Sequence, residues 1–142
     1  MGEAVQAVER LLTAFWARDA EAVAKAVTED FRFINMPFPH RPLIGRAAIK
    51  EVVARGNLGF PARLEDCNHE IFGSFEIGPR VMNERVDRFK FSGTWLELPV
   101  AALWEVAEGQ VKLWKDYYDL GQFARMMSSV GIPIDLNAYY EA

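Results

Sequence analysis

The chain has 142 residues, of which 51% are hydrophobic, and it carries a formal net charge of −4. This length suffices for one well-cored domain and is short for two, so we predict a single domain over residues 1–142. The acidic balance, without any basic run, argues against nucleic acid as a partner. The N-terminal residues lack the pattern of a basic segment followed by an apolar signal core, and no apolar run approaches the roughly 20 residues that span a bilayer, so we expect no membrane contact.

Cysteine and histidine are scarce. Cys67 is the only cysteine, which excludes an intrachain disulfide and makes a cytoplasmic protein the default expectation. Only His40 and His69 could add imidazole ligands, and His40 lies in a proline-rich loop far in sequence from any carboxylate motif. Because no Gly-rich phosphate loop appears either, we predict no metal site and no organic cofactor.

The first part of the chain has the pattern of helices. Apolar residues at helical spacing predict a core-facing helix over Glu3–Arg18, and Asp19 can cap a second short helix, Ala20–Val27. Phe31–Met36 has the pattern of a short strand, after which prolines enforce a loop. Arg46–Arg55 again shows helical spacing, and this third helix is predicted to be peripheral.

The second half of the chain has the pattern of a meander. Turn residues of the hairpin type separate four strand-like runs. Those runs are Ala62–Ile77, Val81–Phe91, Leu96–Ala107 and Val111–Asp119, and a short amphipathic helix over Leu120–Ser129 follows them.

This order of elements predicts the α+β class. We expect a curved antiparallel or mixed sheet that forms a cone, with the N-terminal helices packed over its concave face. For the C-terminal segment with Leu136, Tyr139 and Tyr140, three roles stay open: a lid, a packing arm or a disordered tail.

An arginine and two aspartates fall among aromatic residues on the predicted inner face of two strands. Alternation puts Arg85 and Asp87 on the same side as Phe89, and Asp116 on the same side as Trp114. Ions on an apolar face are costly unless paired, so Asp116 meeting the other two would give one arginine flanked by two carboxylates. Such carboxylates can differ in protonation, as acid/base work requires. A structural ion pair or a solvated face would use the same residues, and spacing alone does not decide between these readings.

Asn35 is a polar residue that points where Phe31 and Phe33 point. Asparagine commonly caps turns, and the prolines that follow enforce one here. Alternatively, the amide orients a small polar ligand or a water molecule. The inner face as a whole then reads as an apolar pocket with a few convergent polar groups, the usual form of a small-molecule site.

These residues resemble the limonene-1,2-epoxide hydrolase family, within the larger SnoaL-like and nuclear-transport-factor-like cone fold. The matching pieces are Arg85-Val86-Asp87, the Trp114-Lys115-Asp116-Tyr117-Tyr118-Asp119 run and Phe33-Ile34-Asn35-Met36-Pro37 followed by Gly45-Arg46. The order of elements agrees along nearly the whole chain. The cone fold alone is shared by many unrelated activities and predicts little about function.

The resemblance implies one-step hydrolysis of an epoxide to a vicinal diol, without a metal or cofactor. Asp116 would be the base that takes a proton from the attacking water, and Asp87 the acid that protonates the leaving oxygen. Arg85 would bridge the two carboxylates, and Asn35 would hold the water. The implied partners are a small apolar epoxide, cyclic or terpene-like, and water, and the family resemblance points to a homodimer.

The resemblance also carries over a set of substrate-binding positions, each of which taken alone is more typical of a hydrophobic core. They are Phe33, Leu12, Phe15, Phe89, Leu98, Val100, Trp114, Tyr118 and Phe123.

Phe33 is where the sequence departs from the family, whose members typically have a tyrosine there that helps to hold the nucleophilic water. Either Asn35 and Asp116 hold the water alone, or Tyr118 supplies a hydroxyl, or the nucleophile is not water.

Three rival functions remain. An epoxide-opening cyclase would let a substrate hydroxyl attack instead of water. An isomerase or polyketide cyclase of the same fold usually needs one carboxylate base with neutral donors for an enolate, so an arginine between two acids favours epoxide opening. A non-catalytic binding or dimerisation domain would need the pocket but not three coupled ionisable groups.

Overall fold

The computed structural model describes residues 2–136, and its mixture of helices and strands confirms the α+β prediction. Tyr139 and Tyr140 lie outside the described residues. In chain order the elements are α1 (Glu3–Trp16), α2 (Ala20–Ala26), β1 (Val27–Asn35), β2 (Leu43–Ile44), α3 (Arg46–Ala54), β3 (Asp66–Ile77), β4 (Arg80–Phe91), β5 (Thr94–Ala107), β6 (Gln110–Tyr117) and α4 (Leu120–Ser129).

The strands form one curved, mixed sheet with the order β2-β1-β6-β5-β4-β3. Only β1 and β6 pair in parallel among the described strands, whereas β3 to β6 form the predicted antiparallel meander. Register shifts interrupt the pairing of β3 with β4 between Ile71 and Gly73, and the pairing of β5 with β6 between Glu105 and Val106. Such irregularities bend a strand and increase its twist, which gives the sheet its concave face.

Helix α1 covers that concave face. Its apolar stripe is buried, with Val8, Leu11 and Leu12 almost without exposed surface. Each such aliphatic side chain contributes roughly 1.5–3 kcal/mol when fully buried. The first turn of α1 is capped from the sheet, because Glu76 Oε1 accepts a hydrogen bond of 2.8 Å from the Val5 amide.

The boundary between α2 and β1 differs from the prediction. Asp19 caps α2 as expected, since its side chain accepts from the Ala22 amide, but the helix ends at Ala26 and β1 begins at Val27, four residues before Phe31. Val27 pairs with Val111 of β6 and is fully buried. A β-branched residue that gains a strand partner and complete burial overrides the weak local preference for helix.

Two predictions about the other helices need correction. Helix α1 ends at Trp16 rather than at Arg18, which has a positive φ of 57° and donates from Nη1 to the Leu64 carbonyl. Helix α3 is not merely peripheral, because its Ile49 and Val53 are both buried in the core. None of the helices between residues 2 and 136 has both the length and the apolar character needed to span a membrane.

Candidate active site

A cavity of about 330 Å³ lies between the inner face of the sheet and the helices. Eight predicted substrate-binding residues line it: Phe33, Phe15, Phe89, Leu98, Val100, Trp114, Tyr118 and Phe123. Leu12 is the exception, because it lies in the hydrophobic core outside this lining. It precedes Phe15 by three residues, about 4.5 Å along the axis of α1, and so sits one turn away from the residue that reaches the cavity.

Several other residues that line the cavity were not predicted from the sequence. Trp16 comes from α1, Ile49 and Val52 from α3, and Phe60 and Ile134 from loop segments. Their apolar character was visible in the sequence, but the packing of loops against a distant sheet has no local signal. The rings of Phe60 and Phe89 lie 4.9 Å apart, so this loop closes one side of the cavity with aromatic surface.

Arg85 joins the two predicted catalytic carboxylates. Its Nε and Nη2 donate to the two oxygens of Asp87 at 2.7 and 3.0 Å, and Nη2 also donates to Asp116 Oδ2 at 2.8 Å. All three residues are at least 95% buried and all three line the cavity. The structure therefore brings together the three groups that the spacing alone could not join.

Strand β5 explains how this contact spans the sheet. β5 lies between β4 and β6, and its Val100 and Ala102 pair with Arg85 and Asp116 respectively. Small side chains on β5 leave room above the sheet for the long arginine side chain to reach Asp116. The bridge thus depends on three strands rather than on a motif within one.

Burial and charge act in opposite directions on the cluster. Burial disfavours the charge on Arg85, but attraction by Asp116 and Asp87 outweighs it, so the pKa of Arg85 is raised above its usual range. For Asp87, burial raises the pKa to about 6, even though the Arg85 charge acts against this shift. Asp87 can therefore hold a proton at a pH where an ordinary aspartate has lost it.

Asn35 lies next to Asp116, because β1 and β6 are paired in parallel at these two residues. The turn that follows is closed by the main-chain carbonyl of Asn35, which accepts from the Phe38 amide at 3.0 Å. Asn35 also lines the cavity. Any residue could close the turn through its main-chain carbonyl, so both interpretations of the Asn35 side chain stay predictions.

Phe33 pairs with Trp114 in the same parallel register, and the centroids of their rings are 4.1 Å apart. Phe33 brings no hydroxyl to this wall of the cavity. Tyr118 also lines the cavity, with its ring 5.9 Å from that of Phe123.

Metal ligands are not grouped in this region. Within residues 2–136, no three His, Cys, Asp or Glu side chains lie close enough together to hold a metal ion. The independence from metals and cofactors stays a prediction.

Fold and site together define a class: a cone-fold protein whose apolar cavity holds a buried carboxylate–arginine–carboxylate cluster. Comparisons with known proteins narrow this class. Residues 2–129 match the family model described as the limonene-1,2-epoxide hydrolase catalytic domain. This match covers most of the chain, and the protein belongs to that family of epoxide hydrolases.

Individual relatives agree with the family assignment. The chain is 29% identical over 114 residues to epoxide hydrolase EphG of Mycobacterium tuberculosis, which covers 80% of this chain and 72% of that protein. It superposes on the structure of an epoxide hydrolase of M. tuberculosis, described as LEH-like, with a TM-score of 0.75 and 26% identity, over 90% of this chain and 89% of that one.

A more distant neighbour supports the fold alone. A protein from Shewanella denitrificans, described as a SnoaL-like polyketide cyclase, superposes with a TM-score of 0.76 at 15% identity, over 89% of this chain and 97% of that one. These superpositions confirm the predicted cone fold, and the family match over residues 2–129 confirms the resemblance.

Proposed function

We propose that this protein is a cofactor-independent epoxide hydrolase that opens a small, largely apolar epoxide to a vicinal diol by one-step attack of water. The observation that carries the proposal is the buried bridge from Asp87 through Arg85 to Asp116 at the wall of an apolar cavity. A binding or dimerisation domain has no need to bury three coupled ions, whose desolvation is costly. Family membership supports the reaction class.

In the proposed reaction, Asp116 accepts a proton from a water molecule that the Asn35 amide helps to hold. The water oxygen attacks one epoxide carbon, the strained C–O bond breaks, and protonated Asp87 gives its proton to the departing oxygen. Water is added overall, and a proton must then pass from Asp116 back to Asp87 before the next cycle. A positioned water with a base on one side and an acid on the other suffices, because ring strain supplies much of the driving force.

The electrostatics of the cluster support this division of roles. Two carboxylates and one guanidinium carry a net charge of −1, and a proton on Asp87 neutralises it. The pKa of Asp87, raised by burial to about 6, makes Asp87 the residue suited to donate that proton. Asp116 accepts hydrogen bonds on both oxygens, from Arg85 at 2.8 Å and from Trp114 Nε1 at 2.6 Å, which holds it in a fixed orientation for use as the base.

The cavity supports a small apolar substrate. Its volume of about 330 Å³ is at the lower end of the roughly 300–1,000 Å³ that is typical of small-molecule sites. Its walls are mainly aromatic and aliphatic, and its charged lining residues are the three of the cluster and Arg41. These features fit a cyclic or terpene-like epoxide of the limonene type.

An epoxide-opening cyclase is the second candidate, and one observation favours it. Phe33 removes a hydroxyl from the wall beside Asn35, and a drier pocket suits attack by a hydroxyl of the substrate itself. The acid and base would act as above, with a substrate hydroxyl in place of water.

Turnover of cyclic and terpene epoxides in ¹⁸O-labelled water tests the proposal. We expect a diol that carries one ¹⁸O atom, and loss of that product in Asp116→Asn. A ring-closed product without label would identify the cyclase. Failure to open any epoxide in the panel, with a folded protein, would contradict both candidates.

We further propose that two copies associate through the outer face of the sheet. Phe75 and Met82 are paired across β3 and β4 and expose 75% and 51% of their surface, and Ile77 exposes 82%. Contiguous apolar patches of this kind commonly mark protein–protein contacts. Charges of both signs border the patch, as in the Arg80–Glu105 pair, so a copy related by a two-fold axis can complement them.

Light scattering after gel filtration tests the dimer. The wild type should have the molar mass of two chains, and Phe75→Glu together with Met82→Glu should reduce it to one. A monomeric wild type would overturn this part of the proposal.

A further inference from the structure

A buried polar pair lies on the inner face of the sheet, outside the cavity lining. Trp104 Nε1 donates to Asn83 Oδ1 at 3.0 Å, and the two residues expose 0% and 5% of their surface. Neither belongs to the residues that line the cavity, so neither touches a molecule bound there. A buried amide and indole N–H are costly unless they bond each other, and a purely apolar pair would fill the same space without that requirement.

The pair of Asn83 and Trp104 is connected to Asp116, the proposed base, through Trp114. The ring of Trp104 stacks on that of Trp114, with centroids 4.8 Å apart and an interplanar angle of 24°. Trp114 in turn donates from Nε1 to Asp116 Oδ1 at 2.6 Å. The short distance is typical of a charge-assisted hydrogen bond, and it sets the orientation of the carboxylate.

The same two rings also support the bridging arginine. The guanidinium carbon of Arg85 lies 6.0 Å from the Trp104 ring centroid and 5.7 Å from that of Trp114. These distances are at the outer limit of a cation–π contact. The stacked rings therefore lie close to Arg85 as well as to Asp116.

We propose that Asn83 and Trp104 are positioning residues that hold the Trp114 indole against Asp116 and so fix the base for attack. The hydrogen bond from Trp104 to Asn83 sets the rotation and height of the Trp104 ring, which stacking alone leaves free to slide. Trp114 is then held on one side by this ring and on another by Phe15, whose ring meets it edge-on at 4.9 Å. The inference rests on the proposed function for the role of Asp116 as the base.

Two single variants and their combination test the pair. Asn83→Leu removes the acceptor and keeps both indole rings, and Trp104→Phe removes the donor and keeps an aromatic ring on Trp114. The double variant removes both partners, so neither polar group of the pair is left unsatisfied, although the smaller phenylalanine leaves a cavity at this buried site. Its loss in Tm should therefore be smaller than the sum of the losses in the two single variants. Trp95→Phe is the matched control, since this ring is 43% exposed and pairs with Lys90 on the outer face.

The kinetic readout separates positioning from simple stabilisation. We expect kcat to fall roughly ten- to hundredfold in both single variants, with KM within about twofold, because displacement of a catalytic group by about 1 Å can cost about 10²-fold. The double variant should keep the low kcat although part of the Tm loss is recovered. Recovery of kcat together with Tm would mean that the pair only stabilises the fold, and would overturn the inference.

A second readout does not depend on activity. The indole ¹H–¹⁵N signal of Trp114, assigned with Trp114→Phe, reports the hydrogen bond to Asp116. In Asn83→Leu, which keeps both indole rings, it should move upfield and exchange faster with solvent. In the two variants with Trp104→Phe, where the stacked ring itself changes the chemical shift, faster exchange is the readout. Trp95→Phe should change neither quantity. An unmoved signal would overturn the inference. A moved signal in a protein that opens no epoxide would instead mean that the proposed function fails while the positioning of Asp116 stands.

Discussion

Strand β4 carries two arginines that each lie between two carboxylates, and they differ mainly in burial. Arg85 faces the cavity with 0% of its side chain exposed and bonds Asp87 and Asp116. Arg88 faces outward with 28% exposed and bonds Glu70 at 2.9 Å and Glu97 at 3.1 Å. The same chemical arrangement occurs on both faces of one strand.

The difference teaches what burial adds to an ion cluster. Hydrogen bonds that Arg88 donates to Glu70 and Glu97 raise the pKa of Arg88, but water screens these partly exposed charges. On the inner face, desolvation is the largest influence, and it raises the pKa of Asp87 to about 6. We expect function to depend on the inner cluster alone, and four predictions test this contrast.

The largest effect is expected for the inner carboxylates. Asp116→Asn and Asp87→Asn should each lower kcat/KM by about 10²–10⁴-fold with the fold intact, because the amide has the shape of the acid but cannot carry the proton. Glu97→Gln, the matched change on the outer face, should leave kcat/KM unchanged. Steady-state kinetics and circular dichroism measure both. A residual rate above about a tenth of wild type in either Asp variant would remove that residue from the mechanism.

Replacing the inner arginine should destabilise the protein much more than replacing the outer one. Arg85→Ala leaves two close carboxylates buried without a counter-ion, which typically costs about 3–5 kcal/mol. Arg88→Ala should change the melting temperature only slightly, because its glutamates stay hydrated. Thermal unfolding of both variants measures the contrast. Equal melting temperatures for Arg85→Ala and wild type would contradict the buried bridge.

The third prediction concerns pH. The folded-state pKa of Asp87, about 6, exceeds the ordinary value of 3.8, so the folded state binds this proton more tightly than the unfolded chain does. The stability that Asp87 contributes is therefore fully present below about pH 4 and is lost as the pH rises through about 6.

The difference in unfolding free energy between wild type and Asp87→Asn should accordingly fall across that window, measured by urea titration at several pH values. The rate should also fall above about pH 6 as the acid loses its proton, with apparent pKa values that belong to the coupled pair. A pH-independent difference between the two proteins would contradict the raised pKa.

The smallest effect is expected at the residue where the inner face departs from the family. Phe33→Tyr restores a hydroxyl at a site that already holds a ring against Trp114. One further neutral hydrogen bond to the attacking water is worth roughly 0.5–1.5 kcal/mol, or a several-fold faster hydrolysis.

Diol yield and melting temperature of Phe33→Tyr, measured together, distinguish the possible outcomes. If the wild-type protein is a cyclase, Phe33→Tyr should instead raise the yield of diol and lower the yield of the ring-closed product. A lower melting temperature with unchanged diol yield would mean that the new hydroxyl is buried without a partner and that Phe33 is remote from the water.

Much of the site could be predicted because strand alternation is a local property. Successive side chains of a strand point to opposite faces, so the sequence of β4 alone puts Asn83, Arg85 and Asp87 on one face. The turn residues between the strands likewise marked the meander, since the conformations they require are encoded within a few residues. Alternation likewise puts Asp116 on the same face as Trp114, and the resemblance to a family then implied its role as the base.

Contacts between segments that are distant in the chain could not be predicted from local patterns of the sequence. The parallel pairing of Val27 with Val111 moved the start of β1, and the packing of Phe60 and Ile134 completed the cavity that Leu12 does not reach. The pairing of Trp104 with Asn83 joins residues 21 positions apart, and the cap from Glu76 on Val5 joins residues 71 apart.

The sequence by itself determined which residues carry charge and which face of a strand they occupy, because strand geometry repeats every two residues. Only the tertiary structure decided that Arg85 reaches Asp116, because that contact crosses β5 above Val100 and Ala102. It also decided that the pKa of Asp87 is raised to about 6, because desolvation depends on everything packed around a carboxylate and not on its neighbours in the chain.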